Sequence, residues 1–133
     1  MKPTAIMVDI DGTLAHMDGR SPYDYSKVSE DLFDDVIADI TRKYKNVVVM
    51  SGRPEDCRED TENWLHKHAV RFNQLLMRTS GDNREDSIIK LELFKEHVEP
   101  KYQILFVLDD RNRVVKMWRD NGLKCLQVAE GDF

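Results

Sequence analysis

No stretch of this chain is long and apolar enough to span a bilayer, so an integral helical membrane protein is excluded. Cysteine is scarce. Cys57 and Cys125 are the only two; they fall in different predicted elements and match no metal-binding spacing. They read as free thiols of a reducing compartment, and a disulfide-stapled secreted fold is excluded. Gly, Ser and Pro never gather into a linker, and no segment repeats, so the 133 residues read as one domain, 1–133. Positive charge is also lacking. The formal net charge is −5, which argues against a long nucleic-acid footprint, because that needs a basic stripe. It leaves room for a nucleic-acid end, where a metal and a few arginines suffice. Lys2-Pro3-Thr4 leads directly into the first predicted strand with no leader pattern, which points to the cytoplasm.

What is present is the apolar content of a soluble globular protein, 41%, with 34% charged residues. Its centre is Asp9-Ile10-Asp11-Gly12-Thr13. The preceding apolar run, Ala5–Val8, reads as a buried strand, and Gly12 permits a sharp turn after it. In extended backbone, residues i and i+2 point the same way, so Asp9 and Asp11 are expected to face one small space. Two carboxylates that close need a cation between them, or one must hold a proton. A hard cation such as Mg²⁺ suits oxygen ligands, and one carboxylate can attack while the other moves a proton.

Periodicity assigns the rest of the chain. Strands are expected at Ala5–Asp9, Asn46–Met50, Asn73–Met77, Ile104–Leu108 and Lys124–Val128. Helices are expected over Ser29–Tyr44 with Ser29 as cap, Pro54–His68, Asp86–Val98 and Arg111–Asn121. Residues 14–27 form a loop with turn signals at Asp18-Gly19 and Ser21-Pro22. This alternation predicts an α/β fold with a five-stranded parallel sheet and helices on both faces. Ligands of such sheets bind beyond the carboxyl ends of the strands, and there the polar motifs collect.

Ser51-Gly52-Arg53 follows the second strand. A hydroxyl, helix-start amides and a planar guanidinium together suit a phosphate. Lys90, on the third helix, places a point charge within reach of an anion, and Asp86 is one helical turn from it. Asp109-Asp110-Arg111 closes the fourth strand; one aspartate is expected to cap the next helix and the other to bind metal. Arg20, with Tyr23 and Tyr25, sits on the loop that arches over the site, where a phosphate and a base or sugar would lie. His16, His66, His68 and His97 show no metal spacing, and Trp64 and Trp118 read as packing residues.

The ordered set Asp9-x-Asp11-Gly12-Thr13, Ser51, Lys90 and Asp109-Asp110 resembles the haloacid dehalogenase (HAD) superfamily of phosphohydrolases. Gly19-Arg20-Ser21-Pro22-Tyr23-Asp24, Val48–Arg53, Gly81-Asp82-x-Arg84 and Gln127–Phe133 extend the likeness to the 3′-phosphatase domains of bacteriophage polynucleotide kinase-phosphatases, over nearly the whole chain. The resemblance implies a HAD-like, Rossmannoid sheet with a minimal cap loop at 14–27. It also implies a Mg²⁺-dependent enzyme that removes 3′-phosphates from DNA or RNA ends and opens 2′,3′-cyclic phosphates. It assigns Asp9 as nucleophile, Asp11 as acid and base, and Ser51 and Lys90 as holders of phosphoryl oxygens. Asp9, Asp11 through its backbone carbonyl, and Asp110 would ligate Mg²⁺, with Asp109 beside them. Arg20, Arg53, Ser51 and Gly52 would contact phosphate or strand, and Asp86 would orient Lys90. The cytoplasm of a phage-infected cell, and fusion to or association with a kinase or ligase domain, are implied as well. This chain has no G-x-x-x-x-G-K-[ST] phosphate loop, so no kinase activity is expected of it.

Two other readings stay open. One is a HAD phosphatase of a small phosphorylated metabolite, which a large cap insert would favour. The other is a phospho-accepting signalling module, which would not need Asp11 as acid and base.

Overall fold

The computed structural model describes residues 1–133. In β1 (Thr4–Val8), Ile6 and Val8 face one side and Met7 the other, the two-residue period of a strand. β4 (Val47–Pro54) repeats the pattern, with Val47 and Val49 on one side and Val48 and Met50 on the other. All of these side chains are buried, so each strand needs a cover on both faces. On one face α1 (Asp35–Arg42) and α2 (Arg58–Lys67) bring Ile37, Trp64 and Leu65. On the other, Phe94, after α3 (Asp86–Leu93), joins Val114, Val115 and Trp118 of α4 (Asn112–Asp120).

β5 (Gln74–Arg78), β6 (Gln103–Asp109) and β7 (Cys125–Gln127) complete the five-stranded sheet, in the order β5-β4-β1-β6-β7 and parallel throughout. The chain runs outward from β1 through β4 to β5, then returns to β6 on the other side of β1. That reversal opens a crevice at the carboxyl ends of β1 and β6, where Asp9 and Asp109-Asp110 emerge. The α/β fold class and strand count agree with expectation. Both cysteines are buried and unpaired, and no helix is long and apolar enough to cross a membrane.

Three local differences bear on the site. The helix expected over Ser29–Tyr44 is instead a 3-10 helix at Tyr25–Glu30, a strand β3 (Leu32–Phe33), and then α1. β3 pairs antiparallel with β2 (Ala15–His16), and Asp34 rather than Ser29 caps α1, accepting from the Ile37 amide at 3.0 Å. Tertiary bonds override helical periodicity here: Trp64 donates to the Asp31 carbonyl at 2.9 Å, and two arginines claim the Asp31 carboxylate. Second, Ser51-Gly52-Arg53 lies inside β4, not at a helix start; α2 begins only after a 3-10 turn at Glu55–Cys57. Third, α3 stops at Leu93 and continues as a π-helix, Phe94–Val98.

Candidate active site

β1 ends at Val8, so the pleat does not govern Asp9 and Asp11. A tight turn follows, with Gly12 at φ +84° and Asp11 in an isolated bridge to Ala15. The two carboxylates still line one cavity of about 520 Å³, but they point to different partners. They face one space as expected, but without touching the same partner.

Asp9 turns inward. Its Oδ1 accepts from Lys90 Nζ at 2.8 Å and its Oδ2 from the Thr13 hydroxyl at 3.1 Å. Lys90 also donates to Asp109 Oδ2 at 3.0 Å. Asp109 accepts two more protein donors: Trp118 Nε1 reaches Oδ2 at 3.3 Å, and the Asp110 amide reaches Oδ1 at 2.9 Å. Neither Asp109 nor Asp110 caps α4, contrary to expectation, because Asp109 is spent on Lys90 and the N-cap position falls to Arg111. The Asp110 carboxylate lies against Gly12, where a Cβ would stand 1.9 Å from its Oδ2. The tail after β7 braces this loop: Gln127 Nε2 donates to the Asp110 carbonyl at 2.9 Å, and the Gly131 carbonyl accepts from the Asn112 amide.

Burial, and then the Asp109 charge, hold the Asp9 carboxyl well above the usual carboxylate range, although Lys90 opposes them. Burial and Asp109 raise Asp110 as well. Burial works against the Lys90 charge, but Asp109 and Asp9 outweigh it and raise its pKa.

Asp9, Asp109 and Asp110 present carboxylate oxygens within 4.8 Å of one another, all three residues buried. One ammonium cannot balance three carboxylates, and the deficit is the charge of a divalent ion. Oxygen-only donors of this kind fit Mg²⁺. Of the three, Asp109 is the most engaged by protein donors.

Asp11 turns outward to two arginines. Arg53 donates to it through Nε at 3.0 Å and Nη2 at 2.8 Å, and Arg20 Nη2 reaches it at 3.2 Å. Behind them sits Asp31, which sequence reasoning missed by placing it in a helix. Its carboxylate accepts from Arg20 at 2.8 and 3.0 Å and from Arg53 at 2.8 Å. Arg53 Nη1 is bound by the Thr61 hydroxyl at 3.1 Å. Hydrogen bonds to Asp31 raise the Arg20 pKa, and bonds to Asp11 raise that of Arg53 against the cost of its burial. Arg20 and Arg53, expected as phosphate contacts, are thus buried and committed to carboxylates; two guanidiniums and two carboxylates cancel. Their direct partner in the cavity is Asp11.

Asp86 does not touch Lys90, which the acidic cluster draws inward. Its carboxylate pairs instead with Arg78 and, at 2.9 Å, with Arg111 Nη1. Gly52 admits this, since a Cβ there would stand 2.8 Å from Asp86 Oδ1. Gly52, Asp86 and Lys90 line the cavity, as does Arg111, which the sequence reading treated only as part of a motif. Ser51 is fully buried, its hydroxyl oxygen accepting the Arg53 amide at 3.0 Å.

Residues 3–133 match the model of the polynucleotide kinase PNKP phosphatase domain. The chain belongs to that family. Among curated proteins, the chain is 36% identical over 125 residues to a protein of Autographa californica nuclear polyhedrosis virus designated bifunctional polynucleotide kinase/RNA ligase, the match covering 89% of this chain and 18% of that one. Among solved structures it is 44% identical, with a TM-score of 0.96 over 99% of its length, to a chain of the Pnkp1/Rnl/Hen1 complex, of which it covers 48%. A second structure, of the Pnkp1/Rnl/Hen1 RNA repair complex, matches equally, with 44% of that chain covered. The chain thus spans less than a fifth of this viral relative and about half of each of these two solved chains.

Proposed function

We propose that this chain is a Mg²⁺-dependent polynucleotide 3′-phosphatase that hydrolyses 3′-phosphates at DNA or RNA ends through an aspartyl-phosphate, and that it also opens 2′,3′-cyclic phosphates at RNA ends. One observation carries the reading: a buried carboxylate, Asp9, is held by Lys90 and Thr13 in the same cavity as a separately anchored carboxylate, Asp11. An acceptor of phosphate and a proton carrier on independent supports suit a two-step transfer.

In the first step an Asp9 oxygen forms a bond to phosphorus as the bond from phosphorus to the 3′-oxygen breaks. Asp11 gives its proton to that oxygen, leaving a 3′-hydroxyl. In the second step Asp11 takes a proton from water as the water oxygen attacks phosphorus. Asp9 is regenerated and inorganic phosphate leaves. Arg20 and Arg53 keep Asp11 in place through both steps, and Asp31 holds the two arginines. Lys90 spends two of its three N–H groups on Asp9 and Asp109, leaving the third for a phosphoryl oxygen. Arg111, hydrogen-bonded to Asp86 and with its guanidinium 4.7 Å from the Phe133 ring centroid, offers further donors. Mg²⁺ held by Asp9, Asp110 and the Asp11 carbonyl would neutralise phosphoryl charge when bound. The whole of 1–133 serves as one phosphatase unit. We also propose that it works beside a kinase or ligase domain, as the names of its relatives suggest.

Phosphate release from a 3′-phosphorylated oligonucleotide with Mg²⁺, set against a 5′-phosphorylated one and a small sugar phosphate, tests the reading. Selective loss of the 3′-phosphate that disappears in Asp9→Asn is expected. Turnover of the sugar phosphate alone would move the function to a metabolite.

A further inference from the structure

Two exposed aromatics line the cavity, Tyr23 and Phe133, and the Phe133 ring already has the Arg111 guanidinium 4.7 Å from its centroid, whereas Tyr23 has no such partner. Tyr23 is 87% exposed, its side chain makes no hydrogen bond to the protein, and it lines the cavity that holds Asp9 and Lys90. Its neighbour Tyr25 is half-buried, with the Arg20 guanidinium 5.9 Å from its ring centroid. Tyr23 has no comparable occupant. An exposed aromatic on a loose loop would mean little, but this loop is braced. The Asp24 amide donates to the Ser21 carbonyl at 3.0 Å, the Tyr23 amide to the Ser21 hydroxyl at 3.2 Å, and Arg20 Nη1 to the Ser21 carbonyl at 3.2 Å. Asp24 also caps the following 3-10 helix, accepting from the Ser26 amide at 3.2 Å. The ring is therefore presented on a fixed turn.

The cavity is two-sided. Met17, Pro22 and Tyr23 make one part of the lining apolar, while Arg111 and Arg113, each paired with one carboxylate (Asp86 and Glu85) and keeping further N–H donors, line another beside Phe133. At about 520 Å³ it exceeds what a phosphoryl group fills and lies in the range of pockets that take a small organic ligand. A nucleotide has the matching division: a flat apolar base on one side and an anionic backbone on the other.

We propose that the Tyr23 ring is the stacking platform for the nucleobase of the terminal nucleotide, the one that bears the 3′-phosphate, with the strand's backbone drawn along the Arg111 and Arg113 side. This rests on the phosphatase reading above and deepens it, making a single-stranded terminal nucleotide the unit that is recognised. Stacking is sequence-tolerant, because every base offers a π-face, so the platform selects for a base without selecting which one.

The test compares two 3′-phosphorylated oligonucleotides that differ only in whether the terminal nucleotide carries its base, on the wild type, Tyr23→Ala and Tyr23→Phe. Wild type and Tyr23→Phe should prefer the base-bearing end in kcat/KM by about tenfold, the scale of one base–aromatic stack. In Tyr23→Ala that preference should collapse through KM, with kcat on the base-bearing end little altered. An undiminished preference in Tyr23→Ala overturns the proposal, as does a Tyr23→Phe variant that behaves like Tyr23→Ala. Fluorescence anisotropy with a 3′-hydroxyl oligonucleotide separates this from failure of the phosphatase reading. If no oligonucleotide is hydrolysed, a Kd that rises about tenfold in Tyr23→Ala still supports the platform, and an unchanged Kd refutes it.

Discussion

Asp31→Asn should be the most destabilising conservative substitution in the polar half of this molecule. The Asp31 carboxylate is 1% exposed and accepts three N–H bonds from Arg20 and Arg53, whose guanidiniums are equally shut off from water. Replacing it with an amide removes one negative charge and turns an NH₂ group toward a guanidinium. Two buried cations are left with Asp11 as their remaining anion. Breaking a buried pair by removing one partner costs about 3–5 kcal/mol, a large part of the roughly 5–15 kcal/mol that holds a domain together. For a chain of this size the loss corresponds to a melting point lower by about 10–15 °C. Asp11→Asn provides the internal comparison. Its carboxylate touches the same arginines but is 34% exposed, so water screens the loss and about 1 kcal/mol or less is expected. Thermal melts followed by far-UV circular dichroism measure both, and the fluorescence of Trp64, which donates to the Asp31 carbonyl, reports the site locally. An Asp31→Asn protein that melts within about 3 °C of wild type, or no lower than Asp11→Asn, would refute the claim that the network is a buried, charge-balanced unit.

Three further outcomes follow from the acidic cluster. Mg²⁺ should raise the melting point, chelation should reverse the gain, and Asp110→Asn should lose the response; a variant that keeps the full gain would remove Asp110 from the metal site. The folded state holds the Asp9 and Asp110 carboxyls above their unfolded values, so protonation favours the native fold. Their stabilising effect is complete below the ordinary carboxylate pKa of about 4 and is lost as pH rises through the raised values. Melting curves should therefore show a Mg²⁺-induced gain that grows with pH across that window, and a gain independent of pH would contradict it. Gly12→Ala should lower stability and abolish phosphate release together, because φ is +84° and the new Cβ would meet Asp110 Oδ2; a folded, active Gly12→Ala protein would show that the turn can relax.

The sheet was legible in the sequence because its strands are short, apolar and bounded by polar loops, as Val47–Met50 and Ile104–Leu108 illustrate. The same pattern puts Asp9 and Asp109-Asp110 at one edge of the sheet, and the structure joins Asp9 to Asp109 through Lys90. The partners of the arginines were not legible. Arg20 and Arg53 have the chemistry to hold a phosphate, and nothing in their spacing says that Asp31 will take them instead. Leu32, Phe33, Val36 and Ile37 keep a helical period, yet Leu32 and Phe33 pair as a strand, because the contacts that decide the matter come from β2 and Trp64, far along the chain. Asp86 misled for a related reason. One helical turn places it near Lys90 in sequence, but Lys90 points into the cluster while Asp86 points to Arg78 and Arg111.

The central claim is that Asp9 accepts the phosphoryl group of a 3′-phosphorylated strand. An oligonucleotide carrying a radiolabelled 3′-phosphate, mixed with the wild-type chain and Mg²⁺ and quenched in acid within the first turnover, tests it most directly. The account predicts label on the peptide containing Asp9, an equal amount of new 3′-hydroxyl ends, and neither in Asp9→Asn. Free phosphate released by Asp9→Asn at the wild-type rate, or label on any other residue, would contradict it.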